Sequence, residues 1–241
     1  MSAPHTRVIL ITGAGRGLGR ALALHLAAPD TLLLLHHHQS RMGAQDVARQ
    51  AQAQGARTLL LAADLADAAA RTCLMQEAAA ATPHLNVLIN NVGVYEEVGL
   101  GEIEPAAWAR VLEVTCNAVQ HLIHAAWPLL AAGAPARVIN LGDSAADRIT
   151  ARTTATHYHA AKLGVHLLTR SYAKLLGPQG ITVNQVSPGF LEGSIGEPGS
   201  AVPLGRLGRH ADILGAVDYL LSPQAAYVSG ANLLVSGGWN L

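Results

Sequence analysis

Charge is scarce in this chain, and what there is cancels. Only 13% of the 241 residues are charged, and 16 Lys and Arg balance 16 Asp and Glu. With a pI near 7.2, the chain offers no electrostatic footprint for nucleic acid or for an anionic membrane. So small a charged fraction points to surface covered in a subunit contact. Cysteine is nearly absent. Cys73 and Cys116 form no metal-binding pattern and fit a reducing compartment, so a cytoplasmic protein is expected. Long apolar runs are missing too. No stretch can span a bilayer, and Met1 to Arg7 lacks the basic-then-apolar layout of a signal segment. Twelve histidines are many, but only His36, His37 and His38 cluster, and no metal site is expected.

What is present is an alternation of short apolar runs and helical patterns. Val8 to Ile11, Thr31 to Leu35, Thr58 to Ala62, Val87 to Ile89, Arg137 to Leu141, Ile181 to Val186 and Asn232 to Val235 read as strands. Between them, Met42 to Gln54, Asp67 to Ala81 (with Asp67 as N-cap), Glu104 to Leu130, His157 to Leu176 and His210 to Leu221 read as helices. Strictly alternating strands and helices imply an α/β, doubly wound parallel sheet covered on both faces. No linker or repeat divides the chain, so 1–241 is expected to be one domain.

Three stretches carry chemistry. The first strand runs into Thr12-Gly13-Ala14-Gly15-Arg16-Gly17-Leu18-Gly19 and then a helical pattern. A strand, a glycine turn and a helix let a backbone approach a pyrophosphate at a helix N-terminus. The second strand is followed by His36, His37, His38, Gln39, Ser40 and Arg41, with no acid between Asp30 and Asp46. An acid there would meet a free ribose 2′-hydroxyl, whereas cations and hydroxyls suit a 2′-phosphate, so NADP(H) is favoured over NAD(H). His37, His38 and Ser40, with Arg16, are the candidates for the adenosine side. His36 is expected at a partly exposed strand end without a ligand. Finally, Tyr158 and Lys162 lie four residues apart, one helical turn, and a nearby ammonium is expected to lower the phenol's pKa and make a proton donor usable near neutral pH.

With these residues in place, the chain resembles the short-chain dehydrogenase/reductase family from about residue 6 onward. The resemblance rests on the Thr12/Gly13/Gly17/Gly19 turn, Asp64, Asn90-Asn91-Val92-Gly93, Tyr158 with Lys162, Asn184 with Pro188-Gly189, and Gly237-Gly238. It implies a Rossmann-type sheet of about seven strands and a hydride-transferring enzyme. It assigns the diphosphate and adenosine side to Gly13, Gly15, Arg16, Gly17, Leu18 and Gly19. Asp64 and Leu65 would meet the adenine, and Asn91, Val92 and Gly93 would line the cleft. Pro188, Gly189 and Leu191 would lie at the nicotinamide. Tyr158 would be the proton donor, and Lys162 would tune it and bind the nicotinamide ribose. A homodimer or homotetramer is implied as well. The overall likeness is to 3-oxoacyl-thioester reductases. Asp143 and the histidine stretch resemble pteridine reductases, which reduce C=N.

Three departures bear on the substrate. Asp143, followed by Ser144, occupies the place of the family's substrate-orienting serine, and two extra residues before Tyr158 leave open which of them takes that role. A carboxylate there would accept hydrogen bonds from ring N–H or amino groups, which a ketone lacks. In the long helix Thr115 stands where the family has an asparagine that holds a proton-relay water, while Asn117 is two residues on and faces elsewhere. Near 190–207 the expected substrate lid is short and rich in Gly and Pro, and Gly193, followed by Ser194, replaces a threonine that contacts the cofactor amide.

Overall fold

The computed structural model describes residues 7–194 and 202–239. Its strands are β1 (Arg7–Ile11), β2 (Thr31–His37), β3 (Arg57–Ala62), β4 (Val87–Asn90), β5 (Ala136–Leu141), β6 (Ile181–Pro188) and β7 (Asn232–Val235). They form one sheet in the order β3-β2-β1-β4-β5-β6-β7, and every neighbouring pair is parallel. The order reverses between β1 and β4. In such sheets a crevice opens at the carboxyl ends of the strands flanking the reversal, and ligands bind there.

Alternation along each strand sends side chains to two separate cores. Val8, Leu10, Leu32, Leu34, Val138 and Val183 face one side. There they meet α3 (Ala68–Ala81), α5 (Ala118–Ala132) and α6 (Thr156–Leu176). Ile9, Ile11, Leu33, Leu35, Ile139 and Val186 face the other. Their partners are α1 (Gly17–His25), α2 (Arg41–Ala53) and α7 (His210–Leu221). Burial on both faces is why these strands read as unbroken apolar runs.

The helices follow local chemistry. Asp67 caps α3 as expected, its carboxylate accepting from Ala69 N at 2.7 Å and Ala70 N at 3.3 Å. The expected single helix over 104–130 is divided. An α-helix α4 (Pro105–Leu112) passes through a π-helical turn at Glu113–Asn117 into α5. Side-chain periodicity hides such a turn, because one wide turn among regular ones barely shifts the apolar stripe. Buried Arg71 on α3 ties this turn down, donating to Glu113 Oε2 at 3.1 Å and to Leu65 O at 2.5 Å. Strand β2 runs two residues further than expected and takes in His36 and His37.

A polar string crosses the middle of the sheet near its carboxyl edge. Asn90 Nδ2 donates to Asn140 Oδ1 at 2.8 Å, and Asn140 Nδ2 donates to Thr169 Oγ1 at 2.9 Å. Thr169 in turn donates to Val165 O. All three side chains are buried. Removing the middle member leaves an amide and a hydroxyl without that partner in a dry layer. Asn140→Ala should therefore lower the unfolding free energy by on the order of 2–4 kcal/mol in urea titration. A loss below about 0.5 kcal/mol would mean that the string contributes nothing.

Candidate active site

The glycine turn is held from behind by a histidine. His36 is 1% exposed; Gly13 N donates to its Nδ1 at 3.1 Å, and its Nε2 lies 3.1 Å from Ala63 O. Only the neutral tautomer with hydrogen on Nε2 satisfies both contacts. Burial pushes its pKa down to about 4. His36 is thus no partly exposed strand end; it joins the turn after β1 to the end of β3. The turn is tight, since a Cβ on Gly19 would stand 2.2 Å from Gly13 O.

Beside the turn opens a cavity of about 260 Å³ lined by Gly13, Arg16, Ser40, Asp64, Leu65 and Gly93, among others. The N-terminus of α1 has no side-chain cap, so its first N–H groups remain available to an anion. Asp64 is held below the usual carboxylate range, first by the Ala66 N–H and then by His38 and Arg110. Arg110 Nη1 lies 3.5 Å from Asp64 Oδ2. A diphosphate with its nucleoside fits this set of donors.

Several of the expected contact residues lie outside the walls of the two cavities. His37 is buried and does not line the cavity, whereas His36 and His38 do, because alternate residues of a strand share a face. Leu18 packs into the core beside α1, and Gly15 backs onto Ser40. Asn91 does not line the cleft; its amide donates to Thr12 O at 2.9 Å and braces the turn. Leu191 packs over Gly208 and lines neither cavity. Val92 and Gly93 do line the smaller cavity, and Pro188 and Gly189 the larger.

The larger cavity, about 560 Å³, has Tyr158 and Asp143 in its wall. Tyr158 Oη donates to Asp143 Oδ2 at 2.9 Å, and Asp143 Oδ1 accepts from Ala145 N at 2.7 Å. Ser144 is buried in the short 3-10 turn Ser144–Ala146, and Asp143 rather than Ser144 stands in the wall. Lys162 is buried one turn along α6 and donates to Leu141 O at 2.7 Å. A Cβ on Gly93 would come within 3.2 Å of its Nζ. Burial lowers the Lys162 pKa to about 8, against the pull of Asp143.

The expected lowering of the Tyr158 pKa does not occur. Burial, then the Asp143 charge and hydrogen bond, raise it well above the ordinary phenol value. Lys162 Nζ sits 5.7 Å from the ring centroid, bonded to a carbonyl, and does not offset them. The phenol is therefore protonated at neutral pH. Thr115 lies in the π-helical turn, fully buried, and its hydroxyl accepts from Val94 N at 3.2 Å. Asn117 is exposed and bonds Glu113.

The sequence reading missed much of the larger cavity's wall. Tyr95 meets the Tyr158 ring edge-on at 5.1 Å and His159 meets it at 5.5 Å. Phe190 and Trp239 pack edge-to-face at 4.7 Å. Arg152 stands on the same wall. Position next to Tyr158 was a signal for His159; the others come from distant loops. In the expected lid, Gly193 has φ +78°, Ser194 lines the larger cavity, and 195–201 lies outside the described residues.

A glycine turn at a switch point, with a buried Tyr/Lys pair across the crevice, defines a dinucleotide-dependent oxidoreductase. Residues 13–240 match the family model described as Enoyl-(Acyl carrier protein) reductase. The 3-oxoacyl-(acyl-carrier-protein) reductase FabG of Staphylococcus aureus is 31% identical over 242 residues, covering 97% of this chain and 98% of that protein. The cis-4-hydroxycyclohexanecarboxylate dehydrogenase of Sinomonas cyclohexanicum is 35% identical over 97% of this chain and 96% of its own. A blue fluorescent protein from a metagenomic library, solved in complex with NADPH, superposes with a TM-score of 0.90 at 30% identity, covering 98% of both chains. The chain belongs to the short-chain dehydrogenase/reductase family.

His36 makes stability pH-dependent. Its folded pKa of about 4 lies below the ordinary 6.5, so the unfolded chain takes up a proton that the folded chain refuses. The stability is whole above about 6.5 and is lost as pH falls towards 4. Urea titrations at pH 7.5 and 4.5 should show a drop that shrinks by on the order of 2 kcal/mol in His36→Gln. An unchanged drop would remove His36 as its source.

Proposed function

We propose that this enzyme is an NADP(H)-dependent reductase of ketones, of the 3-oxoacyl type, with Tyr158 as the proton donor. The observation that carries the reading is the protonated phenol of Tyr158 standing in the wall of the larger cavity beside Pro188 and Gly189. When bound, the reduced dinucleotide supplies the hydride for the carbonyl carbon. Tyr158 Oη gives its proton to the carbonyl oxygen, and Lys162 binds the nicotinamide ribose. Asp143 holds the phenol in place until a substrate oxygen competes for the proton. Gly13, the N-terminal N–H groups of α1, Asp64, Leu65, Val92 and Gly93 hold the dinucleotide. Thr115 and Ser144 support the site from behind.

Support for a ketone comes from two relatives, one named for a 3-oxoacyl substrate and the other for a hydroxyl-bearing one. A second reading, reduction of C=N in a pteridine-like ring, is favoured by Asp143. A carboxylate 2.9 Å from the reacting phenol accepts ring N–H groups that a ketone does not have. Purified protein with NADPH, offered an acetoacetyl thioester and a dihydropteridine, separates the two. In Tyr158→Phe the turnover of the true substrate should fall by roughly 10²–10⁴-fold while NADPH still binds. Near-normal turnover in that variant would sink the assignment.

The preference for NADP(H) rests on Arg16, His38 and Ser40 around the smaller cavity, with no acid at the end of β2. A charge-assisted contact to a 2′-phosphate accounts for about 10–100-fold in affinity. Arg16→Ala should raise the Kd for NADPH by that factor and leave the Kd for NADH nearly unchanged, read by quenching of tryptophan fluorescence. Equal losses for both cofactors would reject the preference.

A further inference from the structure

Of the three arginines that line the cavities, Arg16 is exposed at the glycine turn and the other two differ in their partners. Arg110, in the smaller cavity, pairs with Asp64. Arg152, in the larger one, pairs with no carboxylate among the described residues. Among the described residues its side chain makes one hydrogen bond, from Nη2 to Ala145 O at 2.5 Å. That bond uses one edge of the guanidinium and leaves other N–H groups of the fork to meet a ligand. Its neighbours on the wall, Thr153 and Thr154, are exposed and bring two hydroxyls.

The fork stands close to the chemistry. Ala145, whose carbonyl it holds, donates its N–H to Asp143, which accepts from Tyr158. Arg152 thus faces the same space as the reacting phenol, displaced from it by one short turn of chain.

Among the described residues two carboxylates line this cavity, and neither forms an ion pair with Arg152. Asp143 is engaged by Ala145 N and Tyr158 Oη. Glu97 is set apart by an antiparallel clasp, in which Thr154 pairs with Gly99, Leu100 N donates to Thr153 O, and Ala155 N donates to Val98 O. Arg152 thus brings an uncompensated positive charge to this wall.

We propose that Arg152 is a substrate-binding residue that sets specificity, and that the molecule reduced in the larger cavity carries a carboxylate some bonds away from its carbonyl. A planar carboxylate matches the guanidinium fork, and the two threonine hydroxyls add donors beside it. The carbonyl end of this inference rests on the ketone reading above; the anion site stands on Arg152 alone.

The test titrates the full chain by calorimetry with 4-oxocyclohexanecarboxylate and with the neutral 4-oxocyclohexanecarboxamide. The carboxylate should bind at least tenfold more tightly. Arg152→Gln should bring the two within threefold of each other, and Arg152→Lys, which keeps the charge and loses the fork, should fall between. If the Gln variant fails to fold, the Lys variant together with a weakening of the preference in 0.5 M salt decides the matter. Equal affinity, no binding of the carboxylate, or a full preference that survives in Arg152→Gln overturns the proposal. Turnover separates it from the reductase reading. Oxidation of NADPH by a neutral acetoacetyl thioester, without a carboxylate preference, leaves the reductase and removes the anion site. A carboxylate preference without oxidation by any ketone leaves the anion site and removes the ketone reductase.

Discussion

An ammonium group buried inside a protein must be given partners or lose its proton. Lys162 is 4% exposed, and the site is assembled around that requirement. Its Nζ reaches the carbonyl of Leu141 at the end of β5. The loop after β4 passes so close that residue 93 cannot carry a side chain without crowding it, and the Thr115 methyl borders the same space. Strand end, loop, π-helical turn and α6 therefore converge on one charge. Its pKa of about 8 keeps it protonated at neutral pH.

The two cavities share one set of supports. Arg71 grips Leu65, in the wall of the smaller cavity, and Glu113, at the start of the turn that carries Thr115. His36 ties the glycine turn to the end of β3. Asp143 links the short turn at Ser144–Ala146 to the phenol. The groups that face the cavities are thus anchored by hydrogen bonds to neighbouring elements, and the rigidity of the site comes from those anchors.

Much of this was legible in the residues. Runs of Val, Ile and Leu marked the strands because a sheet covered on both faces buries every position. The glycine turn, Tyr158 and Lys162 declared themselves by spacing. What escaped the reading was whatever depends on a third direction. The side on which His36 and His37 fall follows from strand pleating, and β2 had been ended before them. The phenol's pKa depends on a carboxylate fifteen positions upstream in the chain. The choice between Asp143 and Ser144 depended on the direction of one short turn. Tyr95, Arg152 and Trp239 come from three separate loops, and no local pattern links them.

The Asn90–Asn140 contact has a consequence for how the sheet finds its alignment. The two residues are direct partners in the ladder between β4 and β5. Around them Val87, Leu88, Ile89, Val138 and Ile139 are nearly interchangeable as packing, so apolar burial alone distinguishes weakly between neighbouring alignments. A slip of one position would point an amide away from its partner and set it against a branched aliphatic. One polar pair thus acts as a key that admits a single alignment of the central strands, and with it a single relative placement of the loops that carry Gly93 and Asp143.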